Sequence, residues 1–198
     1  MAKHDLSTGI SRREELRNFR RAKIRDAARR GFARDGLEAA TMRAIASEAG
    51  YSPGALYSYY PAKGHLLSDL AAQSLGLAAK VVRAADVDQA GHAARALFTY
   101  FADRPHEFDL VLTAFHAARA ASIRDTSEYG RQLTGRLIAA LAPLAECQVA
   151  AGDEPMAANR RALGLGAEIF GLLMLANSGH LAALGIGLET LLDDATRP

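Results

Sequence analysis

Side chains that can donate hydrogen bonds to an anion are concentrated between residues 41 and 63. Thr41 and Ser52 each precede a short apolar stretch with helical spacing, and Lys63 opens a third. Free N–H groups and the helix dipole favour anions at helix N-termini, so these three residues are suited to bind phosphate. Arg43 could make a bidentate contact with guanine or lie in solvent, and Gly54 leaves room for close approach of the backbone. The segment therefore predicts hydrogen bonding to a polyanion.

Two short helices joined by a glycine turn would position these side chains. The first has an apolar face at offsets of 0, 3, 4 and 7, formed by Met42, Ile45, Ala46 and Ala49. Gly50 ends it, and Ser52-Pro53 is typical of a helix start, which predicts a second helix from Ser52 to Tyr60. Leu56 and Tyr60 are expected to face the other helices. Such a pair can place its second helix in the major groove of DNA.

An earlier helix supplies a third element. Ser11 and Glu14 match the S-x-x-E capping box, which predicts a helix start at Ser11 and leaves residues 1–10 as a disordered tail. The apolar face of this helix consists of Ile24, Ala27, Ala28, Gly31 and Phe32. Asp35-Gly36 is expected to end it, with glycine in the left-handed conformation.

The charge distribution agrees with a head that binds a polyanion. Of the 198 residues, 1–65 hold 13 Lys and Arg and 7 Asp and Glu, a net charge of +6. Residues 66–198 hold 11 Lys and Arg and 15 Asp and Glu, a net charge of −4. A basic head on a mildly acidic body is typical of a nucleic-acid-binding module joined to a module of another kind. The arginines of the first helix are expected to attract phosphate as a general surface.

The sequence argues against several other classes of protein. The one cysteine, Cys147, excludes an internal disulfide framework and is expected to be a small buried hydrophobic residue. No run of ~20 apolar residues predicts a membrane span, and no secretory signal follows the N-terminal charges, so a cytoplasmic protein is expected. The six histidines lack metal-ligand spacing, and no phosphate-binding loop or nucleophile motif is present. We therefore expect no catalytic residues, no metal and no cofactor.

The rest of the chain is a series of predicted helices. One follows Lys63 and carries along one side Leu66, Leu67, Leu70, Leu77 and Val81. Further helical stripes run through residues 90–101, 108–115 and 129–141. Pro143 lies within the last pattern and predicts a kink or break between Ala139 and Pro143. A helix from about Pro155 to Leu184 is apolar on more than one face, and a short helix from Gly187 to Ala195 follows it.

The motifs of the N-terminal third resemble those of the tetracycline-repressor (TetR) family of bacterial one-component transcription regulators. They are I-x-x-A-A-x-x-x-F at 24–32, T-M-R-A-I-A-x-x-A-G at 41–50 and S-P-G-A-L-Y-x-Y-Y-x-x-K at 52–63. The resemblance implies an all-α protein. Residues 11–65 would form a three-helix helix-turn-helix DNA-binding domain, and residues 66–198 a larger helical domain for effector binding and dimerisation.

The resemblance also implies which residues of the head contact DNA. The positions where the family contacts phosphate are Thr41, Ser52, Tyr57 and Lys63. The positions where base edges or groove walls are contacted are Arg43, Pro53, Gly54 and Ser58. Tyr59 stands where the family frequently has histidine, and it is included among the predicted DNA contacts. Tyr60 replaces the usual phenylalanine, and Pro53 stands where a polar or basic residue is common. These departures leave the docking mode intact.

The long helix after Pro155 offers a surface for a second copy of the chain. Its small residues Gly164, Ala167 and Gly171 recur at offsets of 0, 3 and 7 and would let another helix approach closely. Together with the last helix it could form the four-helix interface of a homodimer, and packing within one chain is the alternative. The residues expected at this interface are Leu163, Gly164, Ala167, Gly171, Leu175, Ser178, Leu188 and Leu191.

A small-molecule pocket in the larger domain is a further implication of the resemblance. The candidates to line it, each of which could equally be ordinary core, are Phe98, Phe101, Phe115, His116, Phe170, Met174 and Asn177. Their character favours a largely apolar effector. We expect a repressor that such an effector releases from a palindromic operator in double-stranded DNA. The alternatives are a ligand-dependent activator and a helical small-molecule-binding protein whose head has lost its use.

Overall fold

The computed structural model describes residues 3–85, 89–120, 128–179, 185 and 187–196, which form helices and no strand. The helices are α1 (Lys3–Ala39), α2 (Met42–Ala49), α3 (Pro53–Tyr57), α4 (Lys63–Ala84), α5 (Ala90–Ala102), α6 (Pro105–Ala120), α7 (Glu128–Ala150), α8 (Pro155–Asn177) and α9 (Leu188–Thr196). They divide into two compact units, Met1–Leu66 and Leu67–Pro198. This division lies beside residue 65, where the sequence placed the end of the head. The all-α fold class is confirmed.

Helix α1 differs from its prediction at its start and agrees with it near its end. It begins at Lys3, ahead of the Ser11 capping box, so residues 3–10 are helical and the prediction of a disordered tail is wrong for them. The helical backbone is interrupted at Gly36, where the sequence predicted that the first helix ends. Gly36 has a positive φ of 82°, but its ψ of 163° is extended, so the expected left-handed helical cap is not formed.

The core of the N-terminal unit is built from the apolar faces that the sequence marked. Ile24, Ile45, Leu56 and Tyr60 are fully or almost fully buried. A β-carbon at Gly31 would lie 3.8 Å from Ile45, an ordinary contact, so α1 and α2 approach closely there. Burial of each large apolar side chain contributes about 1.5–3 kcal/mol. The three-helix head therefore has its own hydrophobic core.

Two arginines of α1 tie that helix to α2 through one carboxylate. Glu48 accepts from Arg30 Nε at 2.8 Å and from Arg34 Nη1 at 3.1 Å. The hydrogen bonds from Arg30 and then Arg34 hold the pKa of Glu48 below its usual value. Because both guanidinium groups are exposed to solvent, although Glu48 is half-buried, the pairs orient the two helices more than they stabilise them.

The C-terminal unit has an aromatic cluster at its centre, formed by Phe101, Phe108 and Phe170. The ring centroids of Phe101 and Phe170 are 6.0 Å apart, and those of Phe108 and Phe170 are 5.4 Å apart. These rings bring together α5, α6 and α8. Edge-to-face and tilted rings at such distances attract each other beyond the effect of their burial.

Two glycines allow helices of this unit to approach more closely than a side chain would. A β-carbon at Gly166 would lie 2.5 Å from Leu141 Cδ2, so α7 and α8 depend on glycine there. One at Gly91 would overlap the backbone carbonyl of Thr196 in α9. Arg95 adds an ion pair from α5 to α9, with its Nη1 3.0 Å from Glu189 Oε2. The short last helix is therefore firmly packed on α5.

Two predicted helix boundaries in the C-terminal unit require correction. Helix α7 runs from Glu128 to Ala150 with Pro143 inside it, so the predicted break is wrong. Pro143 removes one backbone hydrogen bond, but packing of α7 against α5 and α8 holds the helix together. Helix α8 ends at Asn177, before the predicted Leu184, which lies outside the described residues.

The stripe predicted along α4 is buried only in its first turns. Leu66, Leu67 and Leu70 are buried, whereas Leu77 and Val81 on the same face are 49% and 46% exposed. The buried face of the second half is carried by Ala78 and Val82 instead. Because the buried side changes along the helix, a single apolar stripe could not reveal it.

Candidate nucleic-acid interface

The two hydroxyl groups at the starts of α2 and α3 are held by helix-capping hydrogen bonds. Thr41 Oγ1 accepts from the N–H of Ala44 at 3.2 Å, and Ser52 Oγ accepts from the N–H of Ala55 at 3.3 Å. Both residues are exposed. A hydroxyl that accepts in a cap still carries a proton that it can donate. Thr41 and Ser52 therefore lie exposed at the N-termini of α2 and α3, as the sequence predicted, and their contact with phosphate stays a prediction.

The turn between α2 and α3 depends on glycine. Gly50 has φ 77° and ψ 31°, the left-handed conformation, and its N–H points to the carbonyls of Ala46 and Ser47. The N–H of Tyr51 reaches the Ala46 carbonyl at 2.9 Å, which closes a Schellman-type turn. This geometry fixes the direction in which α3 leaves α2.

Helix α3 is shorter than predicted and exposes most of its surface. It spans Pro53–Tyr57 rather than Ser52 to Tyr60, and the chain then turns as the N–H groups of Tyr59 and Tyr60 both bond to the Leu56 carbonyl. Ser58 Oγ donates to the Ala55 carbonyl at 2.7 Å. Pro53, Gly54 and Ser58 are exposed. A β-carbon at Gly54 would meet no atom within 4 Å in the part of the chain that the structure describes, so packing there does not require glycine.

The three tyrosines after Leu56 differ in their surroundings. Tyr57 is 48% exposed, whereas Tyr60 is fully buried, with the Arg21 guanidinium 5.6 Å from its ring centre. Tyr60 is thus a core residue, as predicted. Tyr59 is half-buried, and its hydroxyl accepts from Arg20 Nη1 at 3.3 Å. This bond raises the pKa of Arg20, so the guanidinium stays charged beside α3.

Lys63 has a structural contact that the sequence did not predict. Its Nζ donates to the backbone carbonyl of Glu38 at 3.0 Å and lies 5.9 Å from the centre of the Phe32 ring. Partial burial lowers the pKa of Lys63, while the charge of Glu38 opposes that change. An ammonium group has three protons, so one bond to Glu38 leaves others for a phosphate. Lys63 both holds the end of α1 and stands at the start of α4.

The candidate residues of the head lie within one unit, but two basic contacts were missed. Arg43 is exposed on α2, as a base-reading residue must be. The sequence treated the arginines of α1 as a general surface, whereas Arg20 is bonded to Tyr59 and Lys23 Nζ lies 6.0 Å from the centre of the Tyr51 ring. No local sequence pattern could predict either contact, because each joins residues that are far apart in the chain.

The residues predicted to line a ligand pocket are only partly brought together. Phe98 and Phe101 are buried, Phe115 and Phe170 are half-buried, and His116, Met174 and Asn177 are exposed. An open cleft of about 490 Å³ lies beside α5 and is lined by Val81, His92, Arg95, Ala96, Thr99, Tyr100, Asp103 and Arg104. A second, of about 460 Å³, lies between α7 and α8 and is lined by Ala142, Ala145, Glu146, Val149, Ala150, Pro155 and Asn159. Neither cleft contains a predicted pocket residue.

Six of the eight residues predicted at a dimer interface lie on one largely exposed face of α8. Leu163 and Leu175 are 60% and 41% exposed, and Gly164, Ala167 and Ser178 are also exposed. Gly171 is half-buried, and a β-carbon at Gly164 or Gly171 would meet no atom of the described residues within 4 Å. Leu188 and Leu191 of α9 are half-buried.

Among the described residues, no helix has the length and apolar character that a membrane-spanning segment needs.

Comparison with protein families agrees with the geometry of the head. Residues 24–70 match the family model described as bacterial regulatory proteins, tetR family. The match covers the second half of α1, all of α2 and α3, and the start of α4. No curated protein matches the sequence.

Several solved structures share the fold of the whole chain. The regulatory protein SCO4313 aligns with a TM-score of 0.70 and 23% identity, covering 93% of this chain and 96% of its own. The Thermus thermophilus repressor FadR, solved with lauroyl-CoA, gives a TM-score of 0.62 and 23% identity over 89% and 91% of the two chains. The fatty acid degradation regulator FadR of Bacillus halodurans aligns with a TM-score of 0.54 and 16% identity, covering 89% of this chain and 95% of its own. At these identities the likeness establishes the fold.

Proposed function

We propose that this chain, whose residues 24–70 match the model of the tetR family of bacterial regulatory proteins, is a repressor that a small, largely apolar effector releases from a palindromic operator. Its α3 enters the major groove, one copy in each half-site of the operator. The protein acts in the bacterial cytoplasm, where its operator is found.

One observation carries the DNA-binding part of the proposal. Thr41, Ser52 and Tyr57 present hydroxyl groups on the exposed surface of a head whose own core is complete. The fold uses the two cap hydroxyls only as acceptors, so their protons are available to phosphate oxygens. Lys63 adds positive charge at the start of α4. The guanidinium group of Arg43 can donate two hydrogen bonds to the edge of a guanine base.

The surface of α3 favours close contact with a partner. Pro53, Gly54 and Ser58 form an exposed patch of small side chains around Gly54, where no described atom would meet a β-carbon within 4 Å. The fold thus leaves space that a groove wall or base edge could fill. Together with Tyr59, these residues complete the proposed DNA contacts.

The exposed face of α8 supports a homodimer. Leu163, Gly164, Ala167, Gly171, Leu175 and Ser178 would pack against the same face of a second copy, with Leu188 and Leu191 of α9 beside them. A two-fold axis through this interface would match the symmetry of a palindromic operator. The exposed leucines argue for this assembly, because burying them removes apolar area from water.

The effector is proposed to bind in the C-terminal unit beside the aromatic cluster, where Phe101 and Phe170 meet. Phe98, Phe115, His116, Met174 and Asn177 are the further candidates. The Thermus thermophilus FadR that shares the fold was solved with lauroyl-CoA, which supports a ligand with a long apolar part. Such a ligand can change DNA affinity only by binding more tightly to the conformer that does not fit the operator.

A selection experiment tests the proposal. Purified protein is incubated with genomic fragments, and the bound fragments are sequenced and footprinted. We expect a near-palindromic site protected on both half-sites, and release of that site by acyl compounds added in a screen. Equal affinity for all duplexes, or for heparin and DNA in dilute buffer, would refute operator binding. Binding that increases on addition of the effector would identify a ligand-dependent activator instead.

A further inference from the structure

Helix α1 carries a row of arginines that extends beyond the core of the N-terminal unit. Residues 12–23 contain six Lys and Arg and two Glu. Arg13, Arg17 and Arg20 recur at offsets of 0, 4 and 7, so they share one face of the helix, and all three are exposed. We call these three residues the basic stripe. Glu14 and Glu15 lie about 90° or more around the helix from it.

The basic stripe continues the face of α1 that packs on the other helices of the head. Ile24 and Ala27 follow Arg20 at offsets of 4 and 7, and both are fully buried. Between residues 13 and 20 the same face carries arginine instead of apolar residues. The stripe therefore lies on the side of α1 where α2 and α3 are found, but beyond the point at which the hydrophobic core ends.

A direct contact joins the basic stripe to the proposed DNA surface. Arg20 Nη1 donates to the hydroxyl of Tyr59 at 3.3 Å. Tyr59 follows α3 immediately after Ser58 and is one of the proposed DNA contacts. Because a helix rises 1.5 Å per residue, Arg17 and Arg13 extend about 5 and about 10 Å beyond Arg20. The positive charge beside α3 thus continues outward along α1.

We propose that the basic stripe binds the phosphate backbone of DNA on the outer flank of each half-site. A length of about 10 Å corresponds to about three phosphates of one strand, which rise 3.4 Å each. Arginine suits this role because its guanidinium makes paired hydrogen bonds with phosphate oxygens. The stripe adds affinity and lengthens the bound site without reading its sequence. This proposal rests on operator binding by α3.

The test compares two lengths of the best duplex that the wild-type protein selects from a random-sequence library. One keeps the flanking base pairs, and the other is trimmed to the two half-sites. The affinities of wild type and of R13Q/R17Q are measured at several salt concentrations. Removing one phosphate contact lowers the slope of log affinity against log salt by about 0.9. We expect the double substitution to lower it on the long duplex by about two for each half-site, and to leave it unchanged on the trimmed duplex.

Lys80→Gln/Arg136→Gln removes the same charge from exposed positions of the C-terminal unit and serves as the control. It should keep the wild-type difference between long and trimmed duplexes. Because Arg13 and Arg17 are exposed, R13Q/R17Q should melt at the wild-type temperature. If R13Q/R17Q and wild type lose equal affinity on trimming, the stripe does not contact the flanks, although operator binding stands. If wild type selects no duplex at all, the proposed function itself fails.

Discussion

The candidate functional residues of the two units are positioned by different kinds of interaction. In the N-terminal unit the hydroxyls of Thr41, Ser52 and Ser58 each bond to a backbone group three residues away. In the C-terminal unit, Phe101 and Phe170 meet only because α5 packs on α8. Local bonds are set mainly by neighbouring residues in the chain, whereas contacts between distant helices also depend on how the intervening turns direct the chain.

This difference teaches where substitutions should act. In the head, Gly50 and Gly54 are expected to affect either the fold or the proposed DNA surface, whereas Lys63 is expected to contribute to both. In the C-terminal unit, Leu163 and Leu175 lie exposed on one face of α8, where they contribute little to packing among the described residues. The predictions below test that separation, beginning with the largest expected effect.

Gly171→Leu should disrupt the homodimer while leaving the protomer folded. A β-carbon at position 171 would meet no described atom within 4 Å, but a leucine there would overpack a symmetric interface, at a cost of ~1–3 kcal/mol for each copy. Sedimentation should show dissociation at concentrations where wild type is dimeric. Gly135→Leu, on α7 and equally open, is the matched control. A normal dimer for Gly171→Leu would remove this face of α8 from the interface.

Arg43→Ala should relax the preference of the protein at one base pair of each half-site. Loss of the bidentate contact would reduce discrimination there by ~1–3 kcal/mol. Binding to operators with every substitution at each position is the measurement. Arg43→Lys keeps the charge but not the planar fork, so it should show the same loss of preference with less loss of affinity. Uniform weakening on all operators would instead make Arg43 a phosphate contact.

Gly50→Ala and Gly54→Ala should separate folding from DNA binding. A β-carbon in the left-handed conformation costs ~1–2 kcal/mol, so Gly50→Ala should lower the melting temperature of the head. Gly54 has open space around it, so Gly54→Ala should fold normally and bind DNA less tightly. Calorimetry and operator titration measure the two effects. Full DNA affinity for Gly54→Ala would contradict close approach of the α3 backbone.

Lys63→Ala should weaken binding to all duplexes and lower the salt slope by about one for each phosphate that the lysine no longer neutralises. It should also reduce stability slightly, because the hydrogen bond to the Glu38 carbonyl is removed. Lys63→Arg preserves the charge and serves as the control. An unchanged salt slope with reduced stability would assign Lys63 to the fold alone.

The smallest expected effect concerns Glu48. Its pKa is lowered in the folded protein by Arg30 and Arg34, so the stabilisation is complete above the ordinary value of 4.5 and is lost as the pH falls through the lowered pKa. Urea unfolding at decreasing pH should show a smaller loss of stability for Glu48→Gln than for wild type. Asp109→Asn, an exposed carboxylate on α6, is the control. Parallel pH profiles for Glu48→Gln and wild type would exclude the effect.

The features that sequence could predict are those set by neighbours in the chain. The caps at Thr41 and Ser52, the positive φ of Gly50 and the buried face of α2 all follow from short patterns. The bond from Lys63 to the Glu38 carbonyl and the contact of Arg20 with Tyr59 could not be predicted, because they depend on how three helices assemble. For the same reason no short pattern indicated that α7 continues through Pro143, where packing outweighs a local preference.

The open surroundings of Gly54 have an evolutionary consequence. Since packing among the described residues makes no demand on that side chain, and Arg43 on α2 is likewise exposed, substitutions at either position would act mainly on the proposed contacts with the operator. After gene duplication, a copy could therefore acquire a new set of target promoters through a few substitutions. Its ancestral scaffold would be inherited intact.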